Sequence, residues 1–436
     1  MTSRTRSLDG GVARAIARTF VVMLLAALVA HPANAQDDLV LKWNEIAART
    51  ATATNPFNQA RIMSIIQLAV FEAVNAITGD YQPYLQPPTT APDGASVDAA
   101  VVIAAHRTLT TYFTAPATVT LLDAARDSDL AGITDGPAKT AGIAVGLSAA
   151  NAMIALRASD GSTTPPLTTI PPAVTPAGVY QLTTGCAAGA FFNWLNVTPF
   201  AIASPADFLL SAPPALTSQE YAKDYYEVKT IGASDSAVRP LDRTDVVRLY
   251  AGTSPSFALS MATRQISADK GLSLSENARA LALIMMGIND SLIASFYNKY
   301  HYNLWRPETG IRDGEADGNR KTAGDPGFST FIATPCFPSY PSNHASGTNG
   351  GLEVMRRLFG AAGHDITITN SVPALGPLEA TVITLHYAQL KGIADDVDDA
   401  RVYGGIHWRF DQVAGNVLGR AVATEVAKNH LRPVHP

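Results

Sequence analysis

The residues best suited to chemistry lie in three short segments of the last third of the chain. These segments are Lys299–Pro307 (KYHYNLWRP), Phe337–Ala345 (FPSYPSNHA) and Arg401–Asp411 (RVYGGIHWRFD). Together they supply cations, histidines, serine hydroxyls and the start of a predicted helix. Such groups bind anions, because cations neutralise charge and the first amides of a helix lack partners within it. The combination predicts a site for a tetrahedral oxyanion.

The first segment supplies Lys299 and Arg306. They are seven residues apart, so the spacing predicts that both side chains emerge on one face of a helix that Pro307 ends. Asp290, earlier in the same predicted helix, is a candidate to support an arginine. Two cations near a helix end also serve simply to complement the helix dipole, so this segment alone does not define a site.

The second segment predicts a helix that begins near Ser342 and His344, after a stiff stretch with two prolines. The amides at such a start, together with the Ser342 hydroxyl, suit an anion. His344 can donate and accept a proton near neutral pH. The alternative interpretation is an N-cap serine beside a surface histidine.

The third segment places Arg401, His407 and Asp411 around a bend at Gly404 and Gly405. Asp411 follows His407 by four residues, so it is predicted on the same helix face, where it can orient the imidazole. The alternative is an ordinary polar pair on a solvated helix.

Two chemistries fit the three segments together, and both use Lys299, Arg306 and Arg401 to neutralise the oxyanion. In one, His407 attacks phosphorus and water hydrolyses the phosphohistidine, with His344 as acid and then base. In the other, His407 ligates the vanadium of bound vanadate, which acts as a Lewis acid toward hydrogen peroxide that a halide then attacks. The residues themselves leave both open.

These motifs resemble the superfamily of vanadium-dependent haloperoxidases, type 2 phosphatidic-acid phosphatases and bacterial acid phosphatases. Its pattern is similar to Lys299…Arg306-Pro307, Pro341-Ser342-Asn343-His344 and Arg401…His407…Asp411. Asn343 stands where the pattern has glycine, and Ala400 where it has serine. The segments around Trp305, Tyr340 and Trp408 are most similar to the vanadium chloroperoxidase branch.

The resemblance implies a fold of two helical bundles with vanadate in the second bundle. It implies that His407 is the apical metal ligand, that His344 is the acid–base residue, and that the vanadate oxygens are held by five residues: Lys299, Arg306, Ser342, Asn343 and Arg401. Phe337 falls where chloroperoxidases carry an aromatic residue near the halide, and Phe296 falls where they carry tryptophan. Phosphate, which has the same shape, is expected to compete for the site.

The elements predicted by hydrophobic periodicity are all helices, with no long alternating strand run. They form two bundles, one within residues 36–217 and one within 218–436, and the second carries the anion site. The helices expected in the first bundle span about 39–50, 56–77, 97–113, 117–131 and 137–158. Those in the second include 218–230, 241–251, 255–269, 275–303, 344–358, 378–396 and 407–429. The proline-rich residues 160–217 are expected to wrap the bundle, either shaping the mouth of a site or only covering surface.

Residues 1–35 read as a secretory signal peptide, with four arginines, an apolar run from Phe20 to Ala30 and a small-residue cleavage site before Gln36. Secretion or a periplasmic location is therefore expected. Removing this segment changes the formal net charge from −5 to near −8, and an acidic chain is a poor partner for nucleic acid or an anionic membrane. No later segment is predicted to span a membrane, and a homo-oligomer is left open.

The chain has two cysteines, Cys186 and Cys336, and an oxidising compartment permits a bond between them; the sequence does not decide whether they meet. The function expected is a vanadium-dependent haloperoxidase that oxidises halide with hydrogen peroxide. The alternatives are a secreted acid phosphatase acting on phosphomonoesters and a phosphate- or vanadate-binding protein without turnover. Replacing His344 by alanine separates the enzymes from the binder, because only catalysis needs its proton transfer.

Overall fold

The computed structural model describes residues 38–163, 165–172 and 175–434. The expected signal peptide lies outside the described residues. Within the described residues, five helices precede the proline-rich segment: α1 (Leu39–Ala51), α2 (Pro56–Thr78), α3 (Val97–Tyr112), α4 (Pro116–Ala131) and α5 (Pro137–Leu156). They match the predicted helices to within two residues at each end.

The second half also follows the prediction in most places. Its described elements are α6 (Gln219–Ile231), α7 (Leu241–Ala251), α8 (Pro255–Lys270), α9 (Leu274–Tyr302), α10 (Pro307–Arg312), α11 (Asn343–Phe359), β1 (Ala362–Val372), β2 (Thr381–Gln389), α12 (Leu390–Tyr403) and α13 (Arg409–Asn429). The fold is mostly helical, as predicted.

The two strands correct two narrower expectations, that the chain has no strand run and that one helix spans 378–396. β1 and β2 pair antiparallel, and Ile366 lies opposite Tyr387. Ile366 and Ile368 are buried while their neighbours are more exposed, which is the period of two that a half-buried strand shows. Because threonine fills many of the alternate positions, the apolar signal was weak, although threonine itself favours strands.

Helix α9 is the centre of the molecule. It starts with a capping box in which Ser273 and Glu276 bond each other's backbone amides. Its side chains are buried along most of its length, and one continuous core joins it to α2, α3, α11 and α13. Leu39–Pro436 therefore form one compact unit, and the domain boundary expected at 217/218 stays a prediction.

Asp290 on α9 has a different role from the one expected. Its carboxylate is fully buried and accepts the backbone N–H groups of Phe200, Ala201 and Ile202 at 2.8, 2.7 and 3.0 Å. It therefore fixes the proline-rich segment to the central helix and supports no arginine side chain of the site.

Three described helices are long and apolar enough, by length and composition, to cross a membrane. This corrects the expectation that no segment after the N-terminus would be long and apolar enough to cross a membrane. The most apolar stretch of α2 is 89% buried inside the protein and that of α9 is 94% buried, against 33% for α5. The apolarity of α2 and α9 thus serves the core of this fold.

Close helix crossings bring the start of α11 to the site. A Cβ atom on Gly287 of α9 would lie 2.7 Å from the carbonyl oxygen of Gly350 in α11. One on Gly419 of α13 would lie 2.3 Å from the carbonyl oxygen of Ser346. Only glycine permits these distances, so α11 is held tightly between α9 and α13.

Candidate anion-binding site

The three predicted segments meet between α9, α11 and α13. Lys299 lies in the last turn of α9 and is completely buried. Its Nζ donates to the carbonyl oxygens of Pro338 and Ser339 at 2.9 and 2.7 Å. The first and second segments are thereby joined by hydrogen bonds.

Arg306 does not share a helix face with Lys299, which corrects the prediction. Asn303 has a left-handed backbone (φ 48°) and ends α9. Arg306 is the N-cap of the next helix, α10, and Pro307 is the first residue of α10. Asparagine tolerates this backbone better than most residues. The turn, not helical spacing, brings Arg306 to the site.

The Arg306 guanidinium is fully buried between the other two segments. Its Nε donates to the Phe337 carbonyl oxygen at 2.7 Å, and its Nη1 contacts the Ile406 carbonyl oxygen and the His407 Nε2 at 2.9 Å each. Its Nη2 is buried without a hydrogen-bond partner in the described structure. One donor is thus left for an outside acceptor.

His407 is oriented by Asp411, as the spacing predicted. Nδ1 of His407 lies 2.7 Å from Oδ2 of Asp411, and the same oxygen accepts the Trp408 N–H at 3.1 Å. A proton on Nδ1 and a lone pair on Nε2 satisfy both this contact and the Arg306 donor. Nε2 is therefore the nitrogen able to bind a metal or attack phosphorus.

Ser339 was missed by the sequence reasoning. Its hydroxyl donates to Asp411 Oδ2 at 2.5 Å. Ser339 thereby orients the carboxylate that in turn orients His407. Ser339 lies beside the recognised motif, but only the fold shows which nearby hydroxyl reaches Asp411.

The start of α11 combines a capped helix with an added side-chain donor. Ser342 is the N-cap, and its hydroxyl accepts the Ala345 N–H at 3.4 Å. The Asn343 carboxamide Oδ1 accepts the Ser295 hydroxyl at 2.6 Å, and its buried Nδ2 has no partner in the described structure. Ser295 thus points the amide donor away from α9. This pair could not be predicted from the sequence, because nothing in the spacing links Ser295 to Asn343.

Arg401 completes the set of cations. It lies in the last turn of α12, and its Nη1 donates to the Tyr250 carbonyl oxygen at 3.2 Å. Its buried Nε has no partner among the described residues. The following bend uses Gly405 in a left-handed backbone (φ 82°), where a Cβ would lie 2.3 Å from the Gly232 carbonyl oxygen.

The electrostatics of the cluster favour an anion. Burial lowers the pKa of Lys299 well below its usual value, and the charges of Arg306 and Arg401 lower it further. The negative charge of Asp411 opposes this shift. Burial and the charge of Arg306 lower the pKa of Arg401 to about 9. Burial raises the pKa of Asp411 to about 6, although the Ser339 hydrogen bond and the nearby cations act to lower it. Three buried cations in this cluster face a single carboxylate, which leaves uncompensated positive charge.

His344 faces the same pocket from the first turn of α11 and is half-buried. Burial and the charges of Arg401, Lys299 and Arg306, in that order, hold its pKa well below the usual histidine range. The same causes lower the pKa of His407. Both imidazoles are therefore neutral at neutral pH without an anion, and His344 is ready to accept a proton.

Phe337 and Phe296 take different positions. Phe337 lines the pocket, and its ring centre lies 5.3 Å from Lys299 Nζ and 5.0 Å from Arg306 Cζ. Phe296 is fully buried and packs against Phe337 at 5.3 Å between ring centres. Phe337 can contact a small ligand directly, whereas Phe296 supports it from within the core.

The pocket itself has a volume of about 460 Å³, and its lining includes Asn343, His344, Arg401 and His407. Phe191 of the proline-rich segment also lines it. This supports the interpretation in which that segment shapes the mouth of a site.

Cys186 and Cys336 form a disulfide with a Cα–Cα distance of 5.5 Å, a question the sequence left open. The bond joins the proline-rich segment to the residue before Phe337. The Ala190 N–H also donates to the Cys336 carbonyl oxygen at 2.6 Å. Among the described residues, no cluster of three or more His, Cys, Asp or Glu could hold a metal ion.

Comparison with known proteins finds a matching family model, a curated relative and solved structures of the same fold. Residues 279–436 match a family model described as the second helical-bundle domain of VCPO. The vanadium chloroperoxidase of Curvularia inaequalis is 28% identical over 176 residues. That match takes in 31% of this chain and 28% of the fungal enzyme, so it spans less than a third of the relative's length.

Two crystal structures share the fold across nearly the whole chain. The first bacterial vanadium-dependent iodoperoxidase superposes with a TM-score of 0.73 at 20% identity, over 92% of this chain and 97% of that one. An apo-type bacterial vanadium-dependent chloroperoxidase gives a TM-score of 0.68 at 15% identity, over 85% and 92%. Both structures thus share the fold of this chain, and the family model covers its second half from residue 279 onward.

Proposed function

We propose that this protein is a vanadium-dependent haloperoxidase, which oxidises halide with hydrogen peroxide. One observation carries the proposal: Arg306 Nη2, Arg401 Nε and Asn343 Nδ2 are buried donors without partners in the described structure. Arg306 contacts the imidazole of His407, and Arg401 and Asn343 line one pocket with His407. These are the groups that a tetrahedral oxyanion would satisfy.

The residues present fit vanadate. Its oxygens would be held by Lys299, Arg306, Ser342, Asn343 and Arg401, and His407 Nε2 would be the protein ligand to the metal. When bound, vanadate would supply a Lewis acid that activates hydrogen peroxide toward halide. Phosphate has the same shape and would occupy the same groups.

The protein's own residues handle orientation and protons. Asp411, held by Ser339, keeps the proton of His407 on Nδ1 and the lone pair on Nε2. His344, neutral at neutral pH, would take the proton released as hydrogen peroxide enters and return it to the water that leaves. In the net reaction, halide, hydrogen peroxide and one proton give hypohalous acid and water.

A paired assay on phosphate-free protein tests the proposal. Oxidation of iodide, bromide and chloride by hydrogen peroxide and hydrolysis of an aryl phosphate are followed as orthovanadate is added. We expect halide oxidation to appear in proportion to bound vanadate, and to be lost in His407→Ala. Strong hydrolysis without vanadate, which vanadate only inhibits, would make the protein a phosphatase and overturn the proposal.

A further inference from the structure

The pocket is larger than the small reactants of the proposed function need. Its volume of about 460 Å³ is in the range of sites for drug-sized molecules, roughly 300–1,000 Å³. Hydrogen peroxide, a halide and a tetrahedral oxyanion occupy only part of such a space. Four of the lining residues, Asn343, His344, Arg401 and His407, belong to the oxyanion site, which leaves the remaining lining to be explained.

The remainder is lined mostly by apolar side chains from distant parts of the chain. Phe57 of α2, Phe191 of the proline-rich segment and Phe337 form an aromatic wall. Phe57 lies 4.6 Å from Phe191 and 5.9 Å from Phe337 between ring centres, with edge-to-face angles. The other apolar lining includes Pro255, Leu292, Ile332, Val372 and Leu375. Such a wall accepts a flat ring by further edge-to-face contacts.

Phe191 is held in this wall at a conformational cost. Its φ is 59°, a left-handed backbone that a bulky residue rarely adopts. The backbone on either side is fixed, since Ala190 N–H donates to Cys336 and Phe192 N–H to the carbonyl oxygen of Leu167 at 2.9 Å. The Cys186–Cys336 disulfide closes the same loop. The fold thus holds an aromatic side chain at the pocket in a backbone that is otherwise unfavourable.

Arg248 supplies a further polar group to the pocket, beside those that serve the oxyanion. It lines the pocket, is only 7% exposed, and its Nη2 donates to the carbonyl oxygens of Pro373 and Glu379. Its Nε is buried without a partner in the described structure. Because the nearest acidic side chain, Asp245, is 4.0 Å away and mostly exposed, a ligand oxygen would satisfy Nε best.

We propose that this pocket binds a neutral hydroxyaromatic molecule, with its ring against Phe57, Phe191 and Phe337 and its hydroxyl oxygen accepting from Arg248 Nε. This deepens the proposed function, on which its catalytic meaning rests: the bound ring is the acceptor for the halogen. A ring carbon forms a bond to the halogen of hypohalous acid, the oxygen–halogen bond breaks, and the departing hydroxide takes the ring proton to give water.

The test measures binding, independently of turnover. The full protein is saturated with inorganic phosphate to fill the oxyanion groups, and 4-phenylphenol and biphenyl are titrated by calorimetry. We expect both to bind, 4-phenylphenol about five-fold tighter through one hydrogen bond. Arg248→Gln should remove that difference while leaving biphenyl binding.

A blocking variant supplies the second arm. Gly252 lines the pocket, and a Cβ there meets no atom within 4 Å, so a side chain can start at this position without a clash and Gly252→Trp adds bulk to the lining. We expect it to abolish binding of both aromatic probes and to leave phosphate binding intact. Gly132→Trp, at an exposed C-cap outside the pocket, is the matched control and should bind as the parent protein does.

Three outcomes overturn the inference: no binding with phosphate present, displacement of the aromatic probe by phosphate, or equal binding by the Gly252→Trp variant. If binding passes all tests but the vanadate-loaded protein oxidises no halide, the proposed function fails and the aromatic site stands.

Discussion

Asn343 shows at the level of single residues how this chain departs from the pattern it resembles. Where that pattern has glycine, the carboxamide of Asn343 is locked by the Ser295 hydroxyl at 2.6 Å, and its unpartnered Nδ2 is left for a ligand. A side-chain donor thereby joins the backbone amides at the helix start.

Ser295→Ala should weaken orthophosphate binding about five-fold, because the amide loses the hydrogen bond that orients it. Isothermal calorimetry measures this directly. Ser291→Ala is the matched control, since its buried hydroxyl lies on the same helix one turn earlier and has no partner in the described structure. Equal phosphate affinity in the two variants would contradict the role of Ser295.

The pKa of His344 should rise when an oxyanion binds. In its absence, burial and the charges of Arg401, Lys299 and Arg306 lower that pKa, and an anion compensates those charges. Sulfate is a suitable probe, because it keeps its charge across this pH range.

Binding of sulfate between about pH 5 and 6.5 should therefore take up as much as about one proton per site. Calorimetry in two buffers of different ionisation enthalpy measures the uptake, which His344→Ala should lower; His407, whose pKa is lowered by the same causes, contributes the rest. Proton release, or equal uptake in the variant, would assign the titration to groups other than His344. The lowered pKa also predicts, by its sign, that the anion-free protein loses stability as pH falls below the usual histidine value of about 6.5.

At the scale of elements, the sequence predicted what local spacing controls. The long central helix and the pairing of His407 with Asp411 followed from periodicity and from an interval of four residues. The β1–β2 hairpin was missed because its threonines weaken the apolar alternation. Arg306 was expected on α9, but a left-handed Asn303 ends that helix. Partners such as Ser295, Phe57 and Phe191 come from distant segments, and only tertiary packing brings them to the site.

The disulfide is the element whose removal should affect both stability and the site. The double variant Cys186→Ser/Cys336→Ser should lose about 2–4 kcal/mol of unfolding free energy. Its phosphate affinity should also fall, because Cys336 precedes Phe337, whose carbonyl oxygen holds Arg306 Nε.

Denaturant unfolding and phosphate titration measure the two effects separately. Leu122→Ala, in a buried position of α4, serves as a control that lowers stability without touching the site. If the disulfide variant is destabilised but binds phosphate as tightly as this control, the disulfide stabilises the fold and does not position the site.

At the scale of the whole molecule, an oxyanion should stabilise the native state. Buried cations without a matching anion oppose folding, and a ligand that binds only the native state adds about 2.7 kcal/mol at 100 times its Kd. Phosphate should thus raise the melting temperature well beyond an equal ionic strength of sodium chloride.

Arg401→Met should retain only a small part of that phosphate-dependent increase, because it removes one of the three cations. Differential scanning calorimetry of the parent and variant, with and without phosphate, gives the comparison. An equal increase in both proteins would show that phosphate acts elsewhere on the surface.

Secretion also belongs to this scale and remains a proposal. The disulfide supports an oxidising compartment, and the predicted cleavage site places the mature N-terminus at Gln36. Mass spectrometry of the intact exported protein would read that terminus directly.

The central claim is that the donors near His407 bind vanadate, a tetrahedral oxyanion, and that His407 coordinates its vanadium. A crystal structure of the protein soaked with orthovanadate, with anomalous data, tests it most directly. We predict one vanadium peak within coordination distance of His407 Nε2. The vanadate oxygens should accept hydrogen bonds from Arg306, Arg401 and the Asn343 amide. Vanadate bound elsewhere, or a site in which His407 Nε2 remains bonded to Arg306, would contradict the account.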